Sequence, residues 1–477
     1  MMNRKLLSGI GATIASLGVA SSAWAQAAAG PVKAPDAAAA AAMINKGDTA
    51  WMLVCTALVL MMSIPGLALF YGGLVRAKNM LSVCMQVFMI VSVAGLLWAS
   101  IGYSIAFTSG GENHFFGGLS KAFLVGVDAT TVGATFSNNV YIPELVFVVF
   151  QMTFAMITPA LIVGAFAERV KFSGLLVFVV LWSILVYYPM AHMVWYWAGP
   201  DFLADAPTDS GLLWGWGALD FAGGTVVHIN AGIAGLVGCL FIGKRHGYPK
   251  EPMPPHSLVM TMIGASLLWV GWFGFNAGSN LEANGVTAVA FVNTMLATCA
   301  AAVAWSLVEQ FHHGKASVLG AVTGAVAGLV AITPAAGLGA PMTSIVLGLV
   351  VSPICYIFVT QVKIKLGYDD SLDVFGVHCI GGIVGAIGTG IVASPALGGQ
   401  GVFDYTQFPA AFDPASYSIS GQVVTQIKAV LFTLVYSGVI SAILYFIVGK
   451  TIGLRPSIED ENAGLDITSH GERAYNY

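Results

Sequence analysis

Two histidines stand where histidines are costly. Of the nine in the chain, only His228 and His378 fall well inside long apolar runs, while His192 sits near the end of another. An ionisable group within a membrane-length segment marks a functional site by default. Both histidines close Gly-rich strings of similar design. The first reads Asp220-Phe221-Ala222-Gly223-Gly224-Thr225-Val226-Val227-His228-Ile229-Asn230. The second reads Asp373-Val374-Phe375-Gly376-Val377-His378, followed by Gly381-Gly382. Each is an Asp, then glycines, then a His. One such histidine alone reads as a packed, hydrogen-bonded residue, whereas two in matching strings read as a pair with a shared task. A neutral imidazole carries one donor and one acceptor, so facing rings can hand a proton along. As a metal site the pair is poor, because neither string adds carboxylates or thiolates at ligand spacing.

The elements that must hold this pair follow from composition. The 477 residues are 57% hydrophobic and 9% charged, with a net charge of −4. A soluble domain is roughly 25% charged, so one buried core cannot absorb this many apolar residues. With so few basic residues, no nucleic-acid-binding face can be assembled either. Eleven apolar runs reach membrane-spanning length, over 49–73, 80–107, 143–167, 173–195, 221–243, 256–277, 286–309, 318–336, 341–362, 374–394 and 423–449. The fold class is therefore an all-α polytopic membrane protein. Lys and Arg cluster after the odd-numbered runs, for example Arg76 and Lys78, Arg169 and Lys171, and Lys244 and Arg245. Basic residues favour the cytoplasmic side, which predicts the N-terminus outside and the C-terminus inside. Before the first run, Arg4 and Lys5 precede an apolar stretch from Leu6 to Val19 and an Ala23-Trp24-Ala25 end. This pattern predicts a cleavable signal peptide over 1–25, then an outer linker over 26–46.

Helices 1–5 (residues 47–254) and 6–10 (255–422, with the loop that follows) read as two halves. An odd number of crossings inverts the second half relative to the first, and inverted halves place a substrate path between them at mid-membrane. Helix 11 (423–449) and a polar tail (450–477) complete the chain. Counting at 1.5 Å per residue puts His228 roughly 12 Å from the outer boundary and His378 roughly 9 Å from the inner one. That leaves a gap too wide for a hydrogen bond, unless a boundary is misplaced or a helix starts within the bilayer. Asp220, at the outer start of its helix, reads as a cap for free N–H groups. The six cysteines lie within apolar runs without C-x-x-C spacing and read as buried small hydrophobes. No phosphate-binding loop is present, and the sequence calls for no cofactor and no metal.

At this point the chain resembles bacterial ammonium transporters of the Amt/Mep/Rh superfamily. The resemblance rests on Ile64-Pro65-Gly66-Leu67-Ala68-Leu69-Phe70-Tyr71-Gly72-Gly73-Leu74-Val75-Arg76 and on the string from Asp220 to Asn230. It continues through Gly271-Trp272-Phe273-Gly274-Phe275-Asn276-Ala277-Gly278-Ser279 and the tail from Gly464 to Asn476, spanning about residue 43 to the C-terminus. It implies an eleven-helix fold with inverted halves, one pore per subunit of a homotrimer in the bacterial inner membrane, and ammonium or methylammonium as substrate. It implies a transporter and not an enzyme. It places His228 and His378 in mutual contact as a proton relay, which assigns the counting gap to misplaced boundaries. Cation recruitment falls on Phe154, Trp195 and Ser279, a stacked phenyl gate on Phe154 and Phe275, and a vestibule aromatic on Phe150. Asp220 is the supporting carboxylate. The tail, with Glu459, Asp460 and Glu461 otherwise a solvated acidic end, is expected to meet a nitrogen-signalling PII protein. An ammonium sensor signalling through that tail is the alternative. The outer loop over 196–219 is longer than the commonest bacterial members lead one to expect.

Overall fold

A computed structural model describes residues 35, 37–203, 208–405 and 411–476. The expected signal segment, residues 26–34 of the linker and part of the 196–219 loop lie outside them. Among the described residues, eleven helices are long and apolar enough to cross a membrane. They are α1 (Lys46–Leu74), α2 (Ala77–Phe107), α3 (Glu144–Phe166), α4 (Phe172–Trp195), α5 (Gly224–Ile242) and α6 (Leu258–Gly278). The remainder are α7 (Gly285–His313), α8 (Val318–Ala335), α9 (Pro341–Leu366), α10 (Phe375–Val392) and α11 (Ile419–Thr451). Each coincides with an apolar run of the sequence to within four residues.

Side chains define several of the helix starts. Asn45, Ser257, Asn284, Ser317 and Ser418 each accept hydrogen bonds from first-turn N–H groups, which would otherwise lack partners. Inside the helices, Thr158, Thr294, Thr298 and Thr433 return their hydroxyls to the carbonyl one turn back. These polar groups thus sit in an apolar interior without an unmet donor. Large apolar side chains such as Leu96, Phe311, Val435 and Phe446 point outward, as in a protein whose solvent is lipid. Cysteine burial departs from expectation at two positions, one of them Cys84 on α2, which is half-buried. Cys55, Cys239, Cys355 and Cys379 are buried, but Cys299 is exposed on α7, because an apolar run facing lipid gives a small side chain no reason to turn inward.

The counting gap closes for a reason other than misplaced boundaries. The ends of α5 and α10 differ from their apolar runs by at most three residues. Instead, both helices begin inside the protein. Gly224, the first residue of α5, lies against Gly382, which has ten residues of α10 still to run (383–392). Cys379 lies against Gly232, which has ten residues of α5 still to run (233–242). The α5 start is thus about 15 Å short of the far end of α10, and the α10 start, four residues before Cys379, about 9 Å short of the far end of α5. Gly232 is required here, since a Cβ on it would come within 2.5 Å of the Cys379 backbone nitrogen.

One end of the bundle is tied by buried charges. Glu168 accepts the Arg76 backbone N–H at 2.6 Å and side-chain bonds from Arg76 at 3.0 Å and Arg245 at 3.2 Å. Asp369 accepts three bonds from Arg245 at 2.8–3.0 Å. Arg169, fully buried, donates to Gly243 O, Ser371 Oγ and Asp369 O. Four inter-helix connections thereby share one network. Burial raises the Glu168 carboxyl, but the hydrogen bond from Arg76 and the charges of Arg245 and Arg76 outweigh it and hold the group below its ordinary 4.5.

The tail packs on its own chain through α12 (Ile458–Ala463) and α13 (Leu465–His470). Asp466 accepts the Leu81 and Ser82 N–H groups at 3.1 and 2.7 Å, and Lys78 donates to Asn462 O at 2.6 Å. Glu461 is not part of a solvated acidic end. It is buried, pairing with Arg455 at 2.7 Å and accepting the His246 N–H at 2.7 Å.

A carboxylate held below its unfolded pKa stabilises the fold above that pKa, and the contribution is lost as pH falls through the folded value. Glu168→Gln leaves Arg76 and Arg245 facing a neutral amide. It should lower stability by about 3–5 kcal/mol at neutral pH and flatten the loss of stability below pH 4.5. Unfolding midpoints of purified protein in detergent, measured across pH, check this.

Candidate pore and recruitment site

The six aromatic and imidazole side chains singled out in the sequence from α3, α4, α5, α6 and α10 form one continuous column. Phe154 of α3 and Phe275 of α6 stack at 4.2 Å with their planes 21° apart. On one side, Trp195 meets Phe154 edge-on at 5.8 Å. On the other, Phe275 lies 6.1 Å from the ring of His228. The His228 and His378 rings stack at 5.3 Å, and their Nδ1 atoms are 3.2 Å apart. Only one proton fits between two such nitrogens, so one ring donates and the other accepts. Nε2 of His228 has no protein partner although it is buried.

Local backbone delivers the histidines. His228 lies in a widened turn, Gly224–Ile229, and His378 in another, Phe375–Cys379; such π-type turns recur at functional positions. The start of α5 depends on Asp220. Its carboxylate accepts N–H bonds from Gly223, Gly224, Thr225 and Val226 at 2.6–3.2 Å, and the Thr225 hydroxyl as well. The four orphan donors of a buried helix start are met by one residue. Its backbone carbonyl also takes the Trp195 indole N–H at 3.0 Å, fixing the ring at the column's outer end.

The match between the two histidine strings needs a correction. Counted from the histidine, Asp220 stands eight residues before His228, and the residue eight before His378 is Asp370, not Asp373. Asp370 accepts the Val374 and Phe375 N–H groups at 3.0 and 2.8 Å and so caps α10. Burial, and next the charge of Asp373, push its carboxyl up to about 7. Asp373 pairs instead with Lys363. The sequence string misled because it set the Asp nearest the glycines opposite Asp220.

A closed cavity adjoins the histidines, lined by Leu67, Phe70, Leu161, Leu268, Trp272 and Phe275 besides the two imidazoles. Trp272 carries a role that sequence reasoning missed. It stacks on His228 at 5.4 Å and 16°, and its own N–H is held by Thr333 at 2.9 Å. Its place three residues before Phe275 and seven before Ser279, on the same side of α6, was the available signal. Ser279 ends α6, donating its hydroxyl to Phe275 O at 2.8 Å and keeping its oxygen free to accept. Phe150 is fully buried, 5.1 Å from Phe154 and against Gly278. His192, outside the column, stacks on Tyr196 at 4.6 Å. In the loop after α4, Trp197 bridges to Ser210 and stacks on Trp214 at 4.8 Å.

Comparison with known proteins agrees with this arrangement. The family model described as Ammonium Transporter Family matches residues 50–475. An ammonium transporter of Aquifex aeolicus is 45% identical over 438 residues, covering 92% of this chain and 95% of its own. One from Bacillus subtilis is 44% identical over 432 residues, covering 91% and 99%. Among solved structures, Candida albicans Mep2 superimposes with a TM-score of 0.74 at 30% identity, covering 88% of each chain. With eleven membrane-length helices and a match over nearly its whole length, the chain is a multi-pass membrane protein belonging to the Ammonium Transporter Family.

Proposed function

We propose that the protein moves ammonium across the bacterial inner membrane by separating it into ammonia and a proton. The cation is recruited by Trp195, Phe154 and Ser279, and the neutral molecule passes the Phe154–Phe275 gate. The proton is carried on His228 and His378. The observation that carries this reading is the 3.2 Å contact between the two imidazoles at the wall of an otherwise apolar cavity. The same reading has N-terminus out and C-terminus in, helices α1–α5 and α6–α10 as inverted halves, three subunits per assembly, and a PII-type protein at the cytoplasmic tail. The antiparallel meeting of α5 and α10 supports the inverted halves.

The energetics favour this route over passage of the intact cation. A bare charge at the bilayer centre costs at least ~2.5 kcal/mol and by some measures far more, whereas ammonia carries none. Potassium matches ammonium in charge and approximate size but has no proton to release. An apolar cavity with imidazoles, and without a ring of carbonyls or carboxylates, therefore discriminates by chemistry. Aromatic faces stabilise a waiting cation by ~0.5–2 kcal/mol each.

Three outcomes follow. Purified protein in liposomes should pass ammonium or methylammonium current and exclude potassium; comparable potassium current would sink the reading. Ser279→Ala and Trp195→Leu should raise the half-saturating ammonium concentration, the latter roughly 2- to 30-fold, with smaller loss of saturated flux. An unchanged concentration dependence in both would place recruitment elsewhere.

The histidine pair is tested by replacing both with Asn, which keeps polarity but removes the basic nitrogen. Ammonium-driven current should vanish while neutral ammonia still leaks. His228→Asp should keep current but admit potassium, because a carboxylate holds water and stabilises a cation. Potassium-excluding, wild-type current from the double Asn variant would leave the histidines as pore-shaping residues only. Signalling that survives in that double variant would favour the sensor reading.

A further inference from the structure

Counted from their histidines, α5 and α10 match at several positions. A capping Asp stands eight before (Asp220, Asp370), and a left-handed residue five before (Gly223, φ 119°; Asp373, φ 61°). Glycines follow four and seven after (Gly232 and Gly235; Gly382 and Gly385). The left-handed position is where the two differ in chemistry. Gly223 adopts it freely beside the Trp195 ring. Asp373 adopts it as one of the few residue types with a side chain that tolerate the left-handed region.

What this residue holds is a cation. The Asp373 carboxylate is ion-paired to Nζ of Lys363 near the end of α9, and the same ammonium group donates to Asp370 O at 3.3 Å. Both side chains are partly open, 26% and 17% exposed. The pair sits at the start of α10, where Asp373 precedes Val374 and Phe375. Val374, the next residue, converges with Tyr71 on Gly164, and Tyr71 follows Phe70 of the cavity wall.

We propose that Lys363 is a tethered ammonium group occupying the Asp373 carboxylate at the inner mouth, so that a cation arriving from that side must displace it. The proposal rests on the reading above, that ammonium moves through this pore and that α10 starts toward the cytoplasm. An alkylammonium presents the same N–H donors as the substrate and competes for the same lone pairs. A departing cation meets a carboxylate already neutralised and is released instead of trapped. A passive pathway cannot be made one-way by this. At equal pH and zero potential, maximal rate divided by half-saturation is the same from both faces. The pair sets the concentration at which the inner face saturates.

The test measures ammonium-driven current from each face of oriented proteoliposomes, with orientation scored by protease access to the tail. Lys363→Met should lower the half-saturating concentration at the inner face about fivefold, the value of a partly exposed ion pair, with far less change at the outer face. Lys363→Arg should retain the wild-type value. Adding Asp373→Asn to Lys363→Met should abolish the gain, because the carboxylate the substrate would use is gone. An unchanged inner half-saturation in Lys363→Met overturns the proposal, as does an equal gain in the double variant. Loss of all flux in Lys363→Met with flux kept in Lys363→Arg also overturns it, since the charge would then be required and not competing. Absence of ammonium flux in the wild type instead overturns the transport reading, and this proposal with it.

Discussion

The first four N–H groups of any helix have no partner within it. At a membrane surface water supplies one, but α5 and α10 start packed against neighbouring helices, where the protein itself has to supply the partners. Asp220 and Asp370 are the answer, each folding its carboxylate under the first turn of its helix. Most of the site follows from this. Because the starts are capped, the helices need not run to the far surface, and their first turns meet in the interior. Because the first turns are wide, His228 and His378 turn toward each other in place of lipid. Because Gly232 and Gly382 lack side chains, the two backbones approach closely enough for the Nδ1 atoms to come within 3.2 Å.

The column beside the histidines is built on rigid supports. The Trp195 indole is held by Asp220 O, the Trp272 indole by Thr333, and the Ser279 hydroxyl by Phe275 O. Each indole N–H finds a fixed partner, leaving the rings to pack against Phe154 and His228. Asp220 therefore does two things, satisfying a helix start and holding the Trp195 ring. Loss of its carboxylate would disturb both at once.

At the opposite end, charge takes over from aromatic packing. Arg169, Arg245, Glu168 and Asp369 tie the connections after α1, α3, α5 and α9 into one buried network. The tail is strapped to this end by Glu461 and Asp466. A partner that displaced the tail would act on segments continuous with the α1–α2 connection, and so with the helix that carries Leu67 and Phe70 of the cavity wall.

The number and limits of the spans were legible in the sequence, because a lipid-facing helix must be apolar over its whole length and little else in a chain is. That His228 and His378 belong together was legible too, since two titratable groups in matching strings within such segments point to one another. Long motifs carried Phe154, Trp195, Phe275, Ser279 and Asp220 to their places. Other facts belonged to the tertiary structure alone. Straight-helix counting separated the histidines, because a sequence does not say at what depth a helix begins. The string around His378 named Asp373 as the counterpart of Asp220, because spacing cannot reveal which carboxylate folds under a helix start. Trp272 read as one more apolar residue, and Glu461 as solvated charge. Their roles depend on a partner 44 residues away in Trp272's case, His228, and on Arg455 and His246 in the other. Local composition determines which segments enter the membrane; contacts between segments distant in sequence determine what each residue does there.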